Sequence, residues 1–482
     1  MLDLRPVGYV IGLLVIILGG TMVFPLLLEL YDGRGHWPVF LQSGVITILV
    51  GGLLALSCAS GMKQGLDIRQ TFLLTTGVWA ALPVFGALPL IMGETDLRFV
   101  DAFFEAMSGL TTTGSTVLSG LDDLPRGLLF WRAILQWLGG IGIIVVAMVF
   151  LPELRVGGMQ IFRSEGFDTM GKILPRAQVI ARQISLIYVG ITLACAMVYG
   201  GLGMGPFDAL AHAMTTTATG GFANYDASFG AFSGATEYAA VVFMVLAALP
   251  FVRYVQLING NSTPLFKDAQ IRGFLLTCAV LLAVVAPVLV VQSELPFEQA
   301  LREGLFNTVS ILSGTGYASA DYMGWGNFLI MVFFFIGLIG GCAGSTACSV
   351  KIFRYQLLFA SIRVQIQKIR SPNGVFFPRY EGRRVDEDVL SSVISFFMFF
   401  ILTLGVVAWL LALTGLDFVT AVSGAATAVA NIGPGLGDTI GPAGNFSSLN
   451  DTAKWILIAT MLIGRLELLA VYAILTIRFW RA

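Results

Sequence analysis

Charged residues are scarce in this sequence. Asp, Glu, Lys and Arg make up 12% of the 482 residues, hydrophobic residues make up 56%, and the mean hydropathy is +0.84. This composition lies far outside the range of soluble globular domains, so the chain is predicted to be an integral membrane protein. A net charge of −1 gives no basic surface for a nucleic-acid partner, and none is expected.

Histidine and cysteine are also too sparse for common catalytic or metal sites. The two histidines, His36 and His212, lie far apart and belong to no HExxH motif, so no enzyme is predicted. We interpret His212 as a buried structural residue rather than a proton relay. The cysteines all lie in apolar segments without metal-ligand spacing; they are Cys58, Cys195, Cys278, Cys342 and Cys348. Neither a disulfide framework nor a covalent cofactor is expected.

Long apolar stretches dominate what is present. A helix needs roughly 20 apolar residues to cross the hydrocarbon region of a membrane. Ten stretches qualify, at about 7–28, 40–60, 70–93, 127–151, 180–201, 237–258, 272–292, 325–350, 389–414 and 454–478. Four shorter pieces, near 99–111, 206–218, 297–311 and 417–430, are too short to cross and predict re-entrant helices.

The distribution of basic residues predicts the orientation. Most lysines and arginines fall in alternate loops, among them Arg155, Arg163 and Lys172 and the run from Lys351 to Arg384. Because such residues are retained in the cytoplasm, both termini are predicted to be cytoplasmic. The four short pieces then enter the membrane from the opposite, more acidic side.

Each short piece runs into a polar loop that contains a glycine. The segments "DAFFEAMSGLTTTGST" and "DALAHAMTTTATGGFA" place Gly114 and Gly221 at equal distances from an aspartate, and Gly316 and Gly433 complete the set. Each repeat contains two full crossings, so all four repeats have the same orientation and can surround one axis. This parity disfavours the inverted repeats of many secondary transporters.

One glycine in each repeat suits a cation filter made of backbone carbonyls, because glycine reaches the unusual backbone angles that such a filter requires. The alternative is an ordinary helix–loop–helix turn with capping threonines. The predicted filter residues are Thr112, Thr113, Gly114, Thr219, Gly220, Gly221, Gly314, Thr315, Gly316, Asn431, Ile432 and Gly433.

The loop sequences "TTTGST", "TGGF", "SGTGY" and "ANIGPGLG" resemble those of the TrkH/TrkG/KtrB superfamily of potassium transporters. The two extra N-terminal spans and "GPG" favour the TrkH branch, and the match covers essentially the whole chain. The resemblance implies potassium uptake across the bacterial inner membrane, with K+ bound at the filter. It also implies a homodimer and a cytosolic, nucleotide-binding regulatory subunit of the TrkA type.

The predicted fold is therefore an all-α membrane protein with four M1–pore loop–M2 repeats around a central pore. Two N-terminal helices occupy residues 1–68. The repeats are predicted at 69–155, 156–262, 263–370 and 371–482.

The eighth stretch contains a cluster of small residues between Gly337 and Ser349. Each interior glycine costs a helix about 1 kcal/mol relative to alanine, so the helix should break there. One interpretation is close packing of helices through small residues. The other, which the family resemblance supports, is an intramembrane gate formed by Gly340, Gly341, Gly344, Ser345 and Thr346.

Arg465 lies within the last apolar stretch. A charge there costs about 2.5–3.5 kcal/mol on insertion scales and is usually functional. Glu467 is two positions away and faces another side of a helix, so carbonyls of the 337–349 segment are the better partners. Arg465 is predicted to act in gating. The alternative is a structural arginine that pairs with carbonyls away from the pore.

Two further alternatives concern transport and regulation. An ion-coupled symporter using sodium or protons is the alternative to a channel-like pore, but intramembrane carboxylates other than Glu467 are almost absent from the inner parts of the spans. The basic segment 351–388 either follows the positive-inside rule and contacts lipid, or docks the cytosolic regulator.

Overall fold

The computed structural model describes residues 3–61, 66–95, 97–146, 159 and 173–481. Helices form nearly all of its regular structure, as predicted for an all-α membrane protein. The helices of the N-terminal half are α1 (Arg5–Thr21), α2 (Val23–Asp32), α3 (Trp37–Cys58), α4 (Ile68–Gly86), α5 (Leu88–Ile91), α6 (Phe99–Leu110), α7 (Arg126–Val145), α8 (Ile173–Gly201), α9 (Pro206–Thr217), α10 (Ala235–Ala248) and α11 (Phe251–Ile258).

The C-terminal half adds eleven helices within the described residues. They are α12 (Thr263–Lys267), α13 (Ala269–Gln292), α14 (Phe297–Ser313), α15 (Asn327–Gly337), α16 (Ile352–Arg370), α17 (Glu387–Leu413), α18 (Phe418–Ala430), α19 (Gly437–Ile440), α20 (Asp451–Arg465), α21 (Leu469–Leu475) and α22 (Ile477–Arg481). Strands β1 (Ile339–Gly340) and β2 (Val350–Lys351) pair in parallel, and β3 (Arg379–Tyr380) and β4 (Arg383–Arg384) pair antiparallel.

The two N-terminal spans pack tightly through glycines. A Cβ atom on Gly12 of α1 would lie 2.7 Å from the carbonyl oxygen of Gly51 on α3, and one on Gly51 would lie 2.8 Å from that of Gly12. Small residues at such a contact let two apolar helices approach at backbone distance. The described residues thus begin with a helix pair that precedes the repeats.

Seven helical segments among the described residues are long and apolar enough to cross a membrane. They are Arg5–Asp32, Trp37–Gly61, Ile68–Ile91, Arg126–Val145, Ala181–Gly201, Ala269–Gln292 and Glu387–Leu413. Two predicted spans are not continuous helices. The 237–258 stretch bends by 90° between α10 and α11, and the 454–478 stretch bends by 113° between α20 and α21.

Each bend has a local cause. Pro250 has no amide hydrogen and restricts Leu249 to an extended conformation, which ends α10. Between α20 and α21, Glu467 and Leu468 have φ values of +61° and +48°, which a continuing right-handed helix cannot accommodate. The predicted break in the 325–350 stretch is also present, because α15 ends at Gly337 and α16 starts only at Ile352.

The four short apolar pieces form α6, α9, α14 and α18, close to the predicted boundaries. Each is followed by one of the glycine loops, and each lies between two other helical segments of its repeat. Some sequence predictions fall outside the described residues: Arg155, Arg163 and Lys172 of the predicted cytoplasmic side, the boundary at 155/156, and the end of the 127–151 stretch.

Candidate functional site

The four glycine loops share one backbone pattern. The loop glycines have positive φ values: +86° at Gly114, +76° at Gly221, +79° at Gly316 and +113° at Gly433. The residue two positions earlier is also left-handed in every loop: Thr112 at +51°, Thr219 at +49°, Gly314 at +75° and Asn431 at +52°. The residue between them is not left-handed. A backbone that alternates in this way turns successive carbonyl oxygens toward one side.

The first left-handed residue of each loop caps the preceding short helix. The next amide donates a hydrogen bond to the carbonyl five residues back in all four loops. These bonds join Thr113 to Ser108, Gly220 to Thr215, Thr315 to Ser310 and Ile432 to Thr427, at 2.8–3.1 Å. This is the Schellman type of helix end, which requires a left-handed residue. Three of those residues are Thr or Asn, so glycine content alone does not reveal the pattern.

The loops close into a ring. A Cβ atom on Gly114 would lie 2.2 Å from the carbonyl oxygen of Gly220, and one on Gly221 would lie 2.0 Å from that of Thr315. Cβ atoms on Gly316 and Gly433 would lie 1.8 Å from the carbonyl oxygen of Ile432 and 2.9 Å from that of Thr113. Each glycine therefore faces the next repeat in the order 1, 2, 3, 4, 1. We call this arrangement the loop ring, made of residues 112–114, 219–221, 314–316 and 431–433.

A cavity opens on one side of the loop ring. All four ring glycines line it, together with Ser115, Asp226, Asn445 and other residues of the loops that follow. The residues that precede the ring glycines by two positions do not line it. The cavity therefore meets the ring at its glycine side.

Hydroxyl and amide side chains hold the ring from behind. The Thr113 hydroxyl is 2.7 Å from that of Thr111 and accepts a hydrogen bond from Asn431 Nδ2 at 2.8 Å. In the third repeat the hydroxyls of Ser313 and Thr315 are also 2.7 Å apart. Threonine and serine hydroxyls thus support the loop from behind in the first and third repeats.

A buried ion pair that the sequence reading missed supports the first loop. Glu105 of α6 accepts hydrogen bonds from Arg132 Nε at 2.8 Å, from the Val117 amide at 2.9 Å and from the Thr116 hydroxyl. The side chains of Glu105 and Arg132 are 0% and 1% exposed. Arg132 also donates to the carbonyl oxygen of Ala223 at 2.8 Å, which joins the first repeat to the second. The sequence did contain a signal for this pair, because Glu105 and Arg132 are charged residues in two consecutive apolar segments.

Replacing Arg132 by methionine should destabilise the protein strongly, because the Glu105 carboxylate would remain buried without its counter-ion. Removing one partner of a buried pair typically costs about 3–5 kcal/mol. The measurement is the midpoint of thermal unfolding in detergent. A second substitution, Glu105→Gln, removes the stranded charge and should recover part of the loss. A midpoint equal to that of the unsubstituted protein would contradict the assigned pair.

The segment 338–349, which we call the intramembrane loop, lies against the other side of the ring. Cys348 Sγ is 3.7 Å from the Thr112 hydroxyl, and the Cys348 amide is 3.3 Å from the Cβ position of Gly314. The Ser349 amide donates to the carbonyl oxygen of Ala430 at 3.0 Å. The loop therefore contacts repeats 1, 3 and 4 directly beneath the ring.

The same loop is fixed to the bend in repeat 2. The Cys342 amide donates to the carbonyl oxygen of Ala248 at 3.0 Å, and the Thr346 hydroxyl donates to that of Ala247 at 3.0 Å. The Phe251 amide, at the start of α11, donates to the carbonyl oxygen of Gly344 at 2.9 Å. The bend in repeat 2 thus frees backbone groups that the loop satisfies.

Close backbone contacts explain the glycines of the intramembrane loop. A Cβ atom on Gly340 would lie 1.9 Å from the carbonyl oxygen of Cys348, and one on Gly341 would lie 2.6 Å from the Ala347 side chain. Gly344 has a φ of +73°. Ser345 donates to the carbonyl oxygen of Cys342 at 2.7 Å, within the loop. The five predicted gate residues of this segment therefore lie in one compact, buried turn.

Arg465 lies at the last position of α20 rather than in the middle of a continuous span, because the helix bends directly after it. Its Nη1 atom contacts Cys348 Sγ and lies 3.5 Å from the carbonyl oxygen of Thr346. Its Nη2 atom lies 3.4 Å from the carbonyl oxygen of Gly139 on α7. The predicted approach of Arg465 to carbonyls of the 337–349 segment is therefore present.

Glu467 is not the partner of Arg465, in agreement with the spacing argument. Its carboxylate forms a buried ion pair with Arg354 of α16. Because α16 directly follows the intramembrane loop, this pair joins the loop's C-terminal end to the bend between α20 and α21. Arg465 itself contacts the intramembrane loop, and Glu467, two residues later, is paired to the helix that follows the loop.

Several carboxylates of the predicted acidic side have local partners. Asp101 pairs with Lys454 at 2.6 Å and with Arg98 at 3.0 Å. Asp208 accepts hydrogen bonds from Asn224 and Tyr225. His212 is buried, and its Nδ1 lies 2.9 Å from the carbonyl oxygen of Asp208, as expected for a structural residue.

Comparison with known proteins gives matches over nearly the whole chain. The family model TrkH, described as a cation transport protein, matches residues 36–479. The Trk system potassium uptake protein TrkI of Halomonas elongata is 44% identical, with 99% of this chain and 97% of that protein covered. TrkH of Escherichia coli K12 is 37% identical, with 99% of each chain covered. The crystal structure of the potassium transporter TrkH from Vibrio parahaemolyticus superposes with a TM-score of 0.91 at 33% identity, covering all of both chains.

Proposed function

Because this chain belongs to the TrkH family of cation transport proteins, we propose that it takes up potassium through a channel-like pore whose filter is the loop ring. The family is one of membrane transporters, and the chain is not an enzyme. In this proposal K+ passes from the cavity at the ring glycines, through the ring, toward the intramembrane loop. K+ is the transported ion in this proposal, and no covalent cofactor is part of it.

The closure of the ring is the observation that carries this proposal. Four glycines, one in each repeat, each approach a carbonyl oxygen of the next repeat, and the backbone alternates identically in all four. Carbonyl oxygens arranged around an axis can replace the hydration shell of a cation. An ordinary capped turn, the alternative considered for one loop, does not require four loops to meet in cyclic order.

The short helices favour a cation over an anion at the ring. Helices α6, α9, α14 and α18 all end within one or two residues of the loop ring. The C-terminal end of a helix carries about half a negative charge. Four such ends around one site lower the electrostatic energy of a cation there.

We propose that the intramembrane loop and Arg465 form the gate. The loop contacts repeats 1, 3 and 4 beneath the ring and repeat 2 at its bend, and Arg465 places a positive charge beside the loop. A fixed positive charge under the filter opposes cation flow. Opening then requires the loop to release its hydrogen bonds at Ala247, Ala248 and Ala430.

The proposal extends to location and assembly. The protein acts in the bacterial inner membrane as a homodimer, with both termini cytoplasmic and with repeats at 69–155, 156–262, 263–370 and 371–482 after the N-terminal pair. A cytosolic nucleotide-binding subunit of the TrkA type regulates it. Helix α16 supports a docking role, since Arg363, Lys368 and Arg370 are exposed along its second half.

The direct test is cation flux into liposomes that contain the purified protein alone. No sodium or proton gradient is imposed. We expect each cation to move down its own concentration gradient, with a larger flux for potassium and rubidium than for sodium and lithium. The physical reason is that a carbonyl ring needs no second ion to carry K+ through. Potassium movement only in the presence of a sodium or proton gradient would contradict the channel-like pathway and favour the symporter. Glu29 would then be the first residue to replace, because its buried Oε2 atom has no hydrogen-bond partner among the described residues.

A further inference from the structure

The second loop of the ring differs from the others at one position. The residue directly before the ring glycine is Thr113, Thr315 or Ile432 in repeats 1, 3 and 4, but Gly220 in repeat 2. The φ angle of Gly220 is not in the left-handed region, so the backbone itself does not require glycine there. Another feature of the molecule must account for the missing side chain.

Gln136 of α7 fills the space that a side chain at position 220 would occupy. A Cβ atom on Gly220 would lie 2.4 Å from both Cδ and Oε1 of Gln136. Gln136 is fully buried. Since α7 belongs to repeat 1, a side chain from one repeat occupies the side-chain position of the next.

The Gln136 amide is bonded on both sides of the ring glycine Gly221. Its Nε2 atom donates to the carbonyl oxygen of Gly220 at 2.6 Å, and its Oε1 atom accepts from the Phe222 amide at 3.0 Å. The Gly220 carbonyl is the one that faces Gly114 in the ring. In the described part of the chain, no side-chain donor reaches the equivalent carbonyl of Thr113, Thr315 or Ile432.

The other loops fix the same position with their own residues. Thr113 and Thr315 bond to hydroxyls two positions earlier, at Thr111 and Ser313. In repeat 4 the two corresponding residues are Ile432 and Ala430, whose side chains are apolar and buried. Repeat 2 has Ala218 at that earlier position and no side chain at 220, so Gln136 supplies the side-chain support that hydroxyl pairs give to the first and third loops.

We infer that Gln136 is a positioning residue of the filter, which replaces the absent side chain of Gly220 and sets the geometry of one quarter of the ring. This inference rests on the proposed function of the loop ring. Held at both Gly220 and Phe222, the second loop cannot contract around a smaller ion. Gln136 therefore contributes to the preference for potassium over sodium.

The test combines two single variants with one double variant in the liposome assay. Gln136→Met keeps the length of the side chain but loses both hydrogen bonds, and the potassium-to-sodium permeability ratio should fall by about threefold to tenfold. Gly220→Val places a side chain against Gln136, and flux should fall about tenfold or more. Adding Gln136→Ala to Gly220→Val removes the clash and should restore most of that flux.

The outcomes separate this inference from the proposed filter. A double variant no better than Gly220→Val, or a Gln136→Met variant with unchanged selectivity, overturns the role of Gln136. Gly316→Ser serves as the reference for the filter itself: if it lowers selectivity and the Gln136 variants do not, only this inference fails. If Gly220→Val yields no folded protein, recovery of a monodisperse detergent preparation in the double variant is the supporting result, and its absence overturns the inference.

Discussion

Replacing Arg465 by alanine is expected to raise cation flux by about tenfold or more in liposomes containing the protein alone. The substitution removes a unit positive charge from beneath the proposed filter and releases the contacts to Thr346, Cys348 and Gly139. At an effective dielectric constant of about 20, a unit charge within about 10 Å changes the energy of a passing ion by roughly 1–2 kcal/mol. Each 1.36 kcal/mol corresponds to about a factor of ten in rate.

Two control variants separate charge from folding. Arg465→Lys keeps the positive charge and should leave flux close to that of the unsubstituted protein. Arg5→Ala removes an exposed arginine of α1 whose side chain pairs with nearby Asp3 and donates to the Ser60 hydroxyl, far in sequence from the loop ring, and it should leave flux unchanged. If Arg465→Ala has the same flux as these controls in preparations of equal quality, Arg465 is not part of the gate.

Replacing Gly316 by serine is expected to reduce the potassium-to-sodium permeability ratio by about tenfold or more. The new Cβ atom would lie 1.8 Å from the carbonyl oxygen of Ile432, and its residue would have to adopt a φ of +79°. Both effects force the third and fourth loops apart or rotate a carbonyl away from the axis. Residues in this conformation carry strain of order 1–3 kcal/mol, which is enough for a change of this size.

The matched control is Gly190→Ser, because Gly190 lies on the exposed face of α8 with no atom within 4 Å of its Cβ position. Its permeability ratio should equal that of the unsubstituted protein. A Gly316→Ser variant with an unaltered ratio would remove Gly316 from the ion-selective part of the pore.

Hydropathy and glycine spacing predicted the parts of this site that depend on local sequence. The short helices were predicted because their apolar pieces are too short to cross a membrane, and the structure has them at Phe99–Leu110, Pro206–Thr217, Phe297–Ser313 and Phe418–Ala430. The break after Gly337 followed from the cost of consecutive small residues in a helix. Positive φ at the ring glycines was predicted because glycine, which has no Cβ atom, reaches backbone angles that other residues avoid.

The features that sequence reasoning missed depend on contacts between distant segments. The bends after Ala248 and Arg465 leave apolar helices on both sides, so a hydropathy profile does not register them; Pro250 was a local signal for the first bend only. Left-handed φ at Thr112 and Asn431 belongs to the Schellman helix ends, where glycine is the usual residue, so the absence of glycine at these two positions hid the turn from sequence reasoning. The Glu105–Arg132 pair joins two helices, and a single sequence does not indicate which charged residues will meet.

The single-chain ring has a consequence for how it can be altered. In a pore assembled from four identical subunits, one codon change modifies the filter at four places together, so intermediate states are inaccessible to mutation. Here each carbonyl of the ring is specified by its own codon and backed by different neighbours, such as Gln136 for one and Thr111 for another. If the ring is the filter proposed above, substitutions can alter coordination one quarter at a time, which gives both natural drift and laboratory selection a graded scale of ion preference.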